Sequence, residues 1–168
     1  MIRRLIFTLL AAAVTVGCTV KYSLSGASIP PDAKTFSVAY FPNNAAMVTP
    51  MLSSTLTDAL VDKFSRSTRL SQVPEGGDFA FEGEIIGYTS ATASVSSNDY
   101  AIQNRLTITV RVRFTNLVDE KASFNNRTFS AYADYDSTKL LTEVEGELIT
   151  QIVEQLVNDI FIAAAGNW

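Results

Sequence analysis

The segment from Asn104 to Phe114 constrains the fold most, because its hydropathy alternates strictly with a period of two. The apolar positions are Leu106, Ile108, Val110, Val112 and Phe114. The polar positions between them are Arg105, Thr107, Thr109, Arg111 and Arg113. Successive side chains of a strand point to opposite faces, so this pattern predicts one buried and one solvated face. The apolar face must be covered by a second layer of structure.

Three other segments are predicted strands, because apolar and polar residues alternate within them and turn-forming residues flank them. They are Phe36 to Phe41, Phe79 to Tyr88 and Phe124 to Tyr135. In the first strand, we expect Phe36, Val38 and Tyr40 to share one face. The Ser- and Thr-rich stretch from Thr89 to Gln103 is expected to be a long hairpin connection, with frayed strand ends inside it as the alternative.

Two segments have the spacing of amphipathic helices. The first begins with Thr49 as N-cap and Pro50 at the first helical position, and should end near Arg66 or Ser67. Its apolar stripe comprises Leu52, Leu56, Ala59, Leu60 and Phe64. The second begins at a capping box, Thr142 to Glu145, and should stop at Gly166. Its stripe comprises Val144, Leu148, Ile152, Leu156 and Ile160.

Each predicted strand has one apolar face and each predicted helix has one apolar stripe. The simplest arrangement that buries all of them is an α+β two-layer sandwich. Two helices would pack on one face of a mostly antiparallel sheet of about four strands. We expect this domain to cover residues 35–168.

The first residues have the pattern of an export signal. Arg3 and Arg4 precede an apolar run from Leu5 to Val16, and Gly17 closes the run. A positive start, a short apolar run and a small residue are the parts of a secretory signal peptide. The run is shorter than the roughly 20 residues that a membrane-spanning helix needs. Residues 1–17 are therefore predicted to be a signal peptide.

Cys18 follows directly and is the only cysteine of the chain. The stretch from Thr15 to Cys18 resembles the bacterial lipobox, although leucine is usual at the position of Thr15. The resemblance implies that the Cys18 thiol is acylated and becomes the mature N-terminus. Two or more acyl chains hold a protein stably on a membrane. Residues 18–34, which include Gly26, Pro30 and Pro31, are predicted to be an acylated tether.

Composition excludes several classes of function. The chain has no histidine and a net charge of −4. Without histidine and with its one cysteine acylated, it lacks Ser-His-Asp and Cys-His catalysis and the usual zinc ligands. We expect no metal, no cofactor and no catalytic residues. The acidic net charge also argues against binding of nucleic acid, which needs a basic patch, although it leaves a local basic strip open.

A carboxylate pair is the one catalytic arrangement left to consider. Glu82 and Glu84 share a strand face, about 7 Å apart by the rise of a strand. This spacing is compatible with glycoside hydrolysis. The alternative, which we favour, is a solvated face on which these carboxylates pair with arginines of a neighbouring strand. A hydrolase would lose its activity on Glu82→Gln.

The chain resembles the LptE family of lipopolysaccharide-assembly lipoproteins, in a divergent form. The resemblance covers nearly the whole predicted mature chain. It rests on the order and spacing of these segments: Cys18, FSVAYFPNN (36–44), the helix from Leu52 to Val73, FAFEGEIIGY (79–88), ELITQIVEQLVNDIF (147–161) and Asn167-Trp168.

The resemblance implies a non-enzymatic protein anchored in the inner leaflet of the outer membrane. Its domain would face the periplasm or sit inside the large β-barrel LptD. It would help that barrel assemble and would bind lipopolysaccharide at the last step of export. The implied fold is two helices on a four-stranded sheet.

Lipopolysaccharide carries anionic phosphates, which the guanidinium group binds with two donors. Arg105, Arg111 and Arg113 share the solvated face of one predicted strand and are the candidate contacts. The alternative is ordinary cross-strand pairing with Glu82, Glu84 or solvent. The stretch from Thr89 to Gln103 is a candidate contact with the barrel.

A second class of function stays open. A lipobox followed by strand, helix and sheet also fits periplasm-facing accessory lipoproteins that activate a cell-wall synthase or build a secretion pore. Proteins that co-purify with the chain would separate these two classes.

Overall fold

The computed structural model describes residues 29–47, 49–95 and 102–166, and only the backbone of residues 94, 95 and 102. The elements are β1 (Thr35–Val38), α1 (Pro50–Ser67), β2 (Ser71–Gln72), β3 (Phe79–Val95), β4 (Ile102–Asn116), β5 (Phe124–Asp136) and α2 (Leu141–Ala165). A single 3-10 turn, Glu120–Ala122, lies between β4 and β5. Cys18 and Trp168 lie outside the described residues.

The sheet has five strands in the order β2-β1-β3-β4-β5. β3, β4 and β5 are antiparallel neighbours, whereas β1 is parallel to both β2 and β3. The α+β class and the two helices on one face are confirmed. The sheet is mixed and has one strand more than expected. α1 is a crossover helix between β1 and β2, and such a connection produces parallel pairing.

The alternation of β4 has the predicted consequence. All five apolar positions from Leu106 to Phe114 are fully buried. β5 turns Phe129, Ala131, Ala133 and Tyr135 to the same face. Both helices cover that face with their apolar stripes.

The two helices run in the same direction across the sheet. Thr49, at the start of α1, donates a hydrogen bond to Glu145, near the start of α2. Lys63, near the end of α1, donates one to Asn158, in the last third of α2. Phe64 occupies the centre of the core, with its ring 4.6 Å from the ring of Phe81 and 5.1 Å from that of Phe161.

Three predicted details are wrong. The strand at Phe36 ends at Val38, so the alternation stops there: Phe41 is buried and Tyr40 is 62 % exposed. β3 and β4 continue to Val95 and from Ile102, into most of the predicted hairpin connection. Small polar residues permit this, because pairing with β4 supplies the hydrogen bonds of the β3 backbone.

The third detail is the start of α2, where Thr142 is not the N-cap. The N-cap is Leu140, and Glu143 accepts a hydrogen bond from its backbone N–H at 3.1 Å. The expected reciprocal capping therefore occurs two residues earlier, with a backbone carbonyl in place of the threonine hydroxyl. At α1 the predicted boundaries and the N-cap position of Thr49 are correct, but the Thr49 hydroxyl donates to Glu145 and makes no capping hydrogen bond to its own helix.

At Gly83 and Gly77, backbone or ring atoms of neighbouring segments lie so close that there is no room for a Cβ atom. A Cβ at Gly83 would lie 2.4 Å from the carbonyl oxygen of Arg111 and 2.5 Å from the ring of Phe41. A Cβ at Gly77 would lie 2.5 Å from the backbone of Phe36. These two glycines allow Phe41 and the β2–β3 loop to pack directly on the sheet.

The end of the predicted tether lies against the domain. The guanidinium of Arg69 donates to the carbonyls of Ile29 and Pro30, at 3.1 and 2.6 Å. Ala33 is fully buried. Asp78 accepts hydrogen bonds from the backbone N–H groups of Lys34 and Thr35, and these bonds lower the pKa of its carboxyl group. Residues 29–34 therefore enter the domain along a defined path.

Candidate functional site

The second face of β3, β4 and β5 is solvated, and among the described residues no helix covers it. We call it the open face. It carries the polar positions of β4, the side chains of Glu82 and Glu84 from β3, and those of Tyr132 and Asp134 from β5. Alternation brings them together, because the ladder places Arg113 beside Glu82, Arg111 beside Glu84 and Arg105 beside Asp134.

Each candidate arginine is paired with a carboxylate. Arg111 Nη1 lies 2.8 Å from Glu84 Oε1, and Arg113 Nη1 lies 3.4 Å from Glu82 Oε2. The second oxygen of Glu84 accepts a hydrogen bond from Asn44 at 2.7 Å. The geometry therefore shows cross-strand ion pairing of these arginines with glutamates of the open face.

Arg105 has the most ordered surroundings of the three arginines. It contacts both carboxylate oxygens of Asp134, at 2.7 and 2.9 Å, and its guanidinium lies 3.6 Å from the ring centre of Tyr132. The hydrogen bonds raise the pKa of Arg105 and lower that of Asp134. This two-pronged, stacked arrangement fixes both side chains in one geometry.

The exposure of the arginines increases along β4. The side chains of Arg105, Arg111 and Arg113 are 38 %, 44 % and 57 % exposed. Arg111 and Arg113 border a shallow depression of about 340 Å³, together with Glu82 and Glu84. An incoming anion would therefore meet Arg113 and Arg111 first and would have to displace their carboxylates.

The sequence missed three members of this site. Asp134 and Tyr132 alternate with the inner residues of β5, so the strand pattern contained them once the register was known. Asn44 comes from the loop after β1, and no periodicity indicates its contact with Glu84. Glu82 and Glu84 form ion pairs with Arg113 and Arg111, which does not support their use as a catalytic pair.

Two further checks concern chemistry and membranes. Within the ranges that the structure describes, no group of three or more His, Cys, Asp or Glu side chains is placed to hold a metal ion. α2 is long and apolar enough to cross a membrane, but half of its most apolar window is buried in the domain. Such burial is typical of the core helix of a folded domain.

Fold and site together define a two-layer α+β domain whose solvated sheet face is a ladder of ion pairs. The model of the LptE family, described as lipopolysaccharide-assembly, matches residues 33–164. The chain therefore belongs to the LptE family. A search of curated proteins found no match.

Solved structures share the fold. The hypothetical protein CT253 from Chlamydia trachomatis is similar with a TM-score of 0.54 at 10% identity, covering 80% of this chain and 99% of its own. Protein XCC0632 from Xanthomonas campestris, of family DUF330, has a TM-score of 0.51 at 19% identity, covering 82% and 91%. At these identities the likeness concerns the fold alone.

Proposed function

We propose that this protein is a non-enzymatic outer-membrane lipoprotein, acylated at Cys18, that partners an LptD-like β-barrel in lipopolysaccharide assembly and transport. The observation that carries the proposal is the family match over residues 33–164. A domain with one large solvated sheet face and carboxylates occupied by arginines is consistent with a binding role.

Co-purification from detergent-solubilised envelopes tests the partner. We expect a large outer-membrane barrel to elute with the tagged full chain, in comparable amount. A cell-wall synthase, or a ring of copies of this chain, would instead support the accessory-lipoprotein alternative. Mass spectrometry of the mature N-terminus tests the anchor, because acylated Cys18 should be the first residue.

The open face is the proposed contact for lipopolysaccharide phosphates, through Arg105, Arg111 and Arg113. The motivating feature is three arginines on one strand face with a depression beside two of them. Phosphate would exchange for Glu82 and Glu84, which keep contact with water and are held by single contacts to the arginines. Arg105, tied to Asp134 by two bonds, should contribute least.

A charge reversal with a matched control tests this contact. Arg111→Glu with Arg113→Glu should weaken lipopolysaccharide binding about tenfold or more, since two charge-assisted contacts are lost. Lys63→Glu with Arg66→Glu makes the same charge change on the helical side and should leave affinity unchanged. Equal affinities of both double variants and the native chain would remove the open face from consideration.

The hairpin of β3 and β4 is the proposed contact with the barrel. Tyr88 of β3 contacts Glu145, near the N-terminal end of α2. The pairing of β3 with β4 continues from Tyr88 and Ile108 to Val95 and Ile102, so the hairpin extends beyond the helical layer. Photo-crosslinkers at Ser94 and Ser97 should capture the barrel in vivo, whereas one at Glu154 on α2 serves as the control. Capture at Glu154 alone would contradict the contact.

A further inference from the structure

A second depression lies at the β1 end of the open face, and we call it the trough. Its volume is about 620 Å³. Ala80 and Thr115 are partners in the ladder of β3 and β4 and form its floor, which is low because both side chains are small. Tyr40, Pro74 and Leu117 line its sides. The register of the sheet therefore places small side chains between larger apolar ones.

The apolar side chains of the trough are accessible to solvent. Tyr40 and Leu117 are each 62 % exposed, which is high for large apolar residues of this domain. Ala80 and Thr115 are only partly buried, so the floor is accessible as well. Exposed apolar side chains that gather around a depression are typical of a surface that binds a partner.

The trough borders a part of β1 whose outer edge is uncovered. β2 is only two residues long, and the last bond on this edge runs from the N–H of Val73 to the carbonyl of Phe36. Ala39 donates to Phe81 of β3, and backbone groups alternate along a strand, so those of Val38 point away from β3. Among the described residues, none bonds to the N–H or C=O of Val38 at this edge.

The loop after β2 leaves this edge free because it crosses onto the open face. The N–H of Gly77 donates to Ser37 Oγ at 3.1 Å, and a Cβ at Gly77 would lie 2.5 Å from the backbone of Phe36. The loop therefore lies on top of β1 and does not continue beside it. An extended segment can take the place that β2 vacates, next to Val38.

The charge of the trough indicates what kind of segment fits. Glu75 and Glu82 are part of its lining, which includes no lysine or arginine from the described ranges. Arg113 contacts Glu82 from outside the trough, but at 3.4 Å and with both side chains more than half exposed. Such an exposed pair is weak and exchanges readily. The two carboxylates therefore favour a basic occupant and repel an anionic one.

We propose that the trough and the Val38 edge bind an extended segment of a partner protein, in which lysine or arginine flanks an apolar residue. The segment lies beside β1 where β2 ends, and its backbone pairs with Val38. Its apolar side chain enters the trough, and its basic side chain contacts Glu75 or Glu82. This surface is distinct from the proposed phosphate contact, which uses the arginines of β4.

Peptides selected from a random twelve-residue library on the detergent-solubilised full chain are the probe. They should carry lysine or arginine beside apolar residues. Glu75→Lys with Glu82→Lys should weaken binding of a selected peptide at least about tenfold in fluorescence anisotropy, because attraction becomes repulsion. Glu147→Lys with Glu154→Lys makes the same charge change on exposed positions of α2 and should leave the affinity unchanged.

A second pair of variants tests the apolar contact. Tyr40→Ala should weaken binding of the same peptide at least about fivefold, because an exposed aromatic ring is lost from the trough. Leu140→Ala removes an apolar side chain that is 67 % exposed at the start of α2, and should have no effect. Circular dichroism of each variant checks that the fold is retained.

Methylation of single backbone amides of the peptide tests the pairing with β1. Methylating the amide that donates to the Val38 carbonyl should weaken binding about tenfold, whereas methylating the adjacent amides should have a smaller effect. Three results would overturn the proposal: selected peptides without basic residues, equal affinities of the trough variants and their controls, or undiminished binding when glutamate replaces every basic residue of the peptide. None of them depends on whether the protein binds lipopolysaccharide.

Discussion

The two faces of the same three strands differ in what holds their side chains. On the covered face, apolar side chains of β3, β4 and β5 are buried under α1 and α2, around the ring of Phe64. On the open face, side chains pair with one another across strands and keep contact with water. The covered face therefore supplies most of the stability, whereas the open face can exchange its ion pairs for a ligand with little loss of stability.

The strongest test of this comparison removes the central ring of the covered face. Phe64 is fully buried and contacts the rings of Phe36, Phe81 and Phe161. Phe64→Ala should lower the free energy of unfolding by about 3–5 kcal/mol, through lost burial and the cavity that remains. Urea unfolding followed by circular dichroism measures the change. A loss no greater than that of Thr128→Ala would break the comparison.

A smaller effect is expected where the packing is tight and no ring is lost. Gly83→Ala would place a methyl group against the Arg111 carbonyl and the Phe41 ring, and should cost about 1–3 kcal/mol. Gly146→Ala is the matched control, because a Cβ there meets nothing within 4 Å. In the exposed turn of α2 it should stabilise by about 0.5–1 kcal/mol. The same sign for both changes would contradict the close packing at Gly83.

The end of the covered face holds a polar group, Tyr88, whose hydroxyl donates to Glu145. Burial, with this bond to Glu145, raises the pKa of Tyr88 to about 12. In the unfolded chain the pKa of this tyrosine is its ordinary value of 10.0, so between pH 10 and pH 12 the tyrosine is ionised in the unfolded state but still protonated in the folded state. This contribution to stability should be complete below pH 10 and should be lost as the pH rises toward 12.

Tyr88→Phe tests that dependence. The variant should lose about 1–2 kcal/mol at neutral pH, because a bond to a carboxylate is removed. It should also lose stability less steeply above pH 10 than the native chain does. Tyr132→Phe, at an exposed ring, is the control. Parallel pH profiles for native chain and Tyr88→Phe would exclude Tyr88 as the titrating group.

The smallest effect should come from the open face. Arg113 and Glu82 are both more than half exposed and lie 3.4 Å apart. Arg113→Ala should change the free energy of unfolding by less than about 1 kcal/mol, because solvent screens an exposed pair. Chemical unfolding at low and high salt measures it. A loss approaching that of Phe64→Ala would show that the open face stabilises the fold.

Much of the architecture follows from local patterns. The alternation in β4 fixed which of its side chains are buried, and the helix spacing placed Leu52, Leu56 and Phe64 on one stripe. The start of α1 followed from Thr49 and Pro50. Such patterns are reliable because each depends on neighbours within a few residues along the chain.

Local patterns failed where distant residues decide. β1 stops at Val38 and Tyr40 turns outward because the chain leaves the sheet there, which exposes one aromatic ring and buries Phe41. The Ser- and Thr-rich end of β3 and the first residues of β4 are strands because they pair with each other. The start of α2 at Leu141, earlier than the capping box predicted, is a local effect instead, because Glu143 accepts from the backbone N–H of Leu140.

The candidate site divides in the same way. Sequence alone put Arg105, Arg111 and Arg113 on one solvated face and identified Glu82 and Glu84 as possible partners. It also determined the absence of histidine and the single cysteine at a lipobox-like sequence. Only the register of the sheet decided that Arg105 belongs to Asp134, and only the loop after β1 brought Asn44 to Glu84. The alternation of side chains along a strand follows from covalent geometry, so the sequence specifies the face on which each residue lies. The residue that a side chain contacts on another strand or loop depends on how separate segments pack.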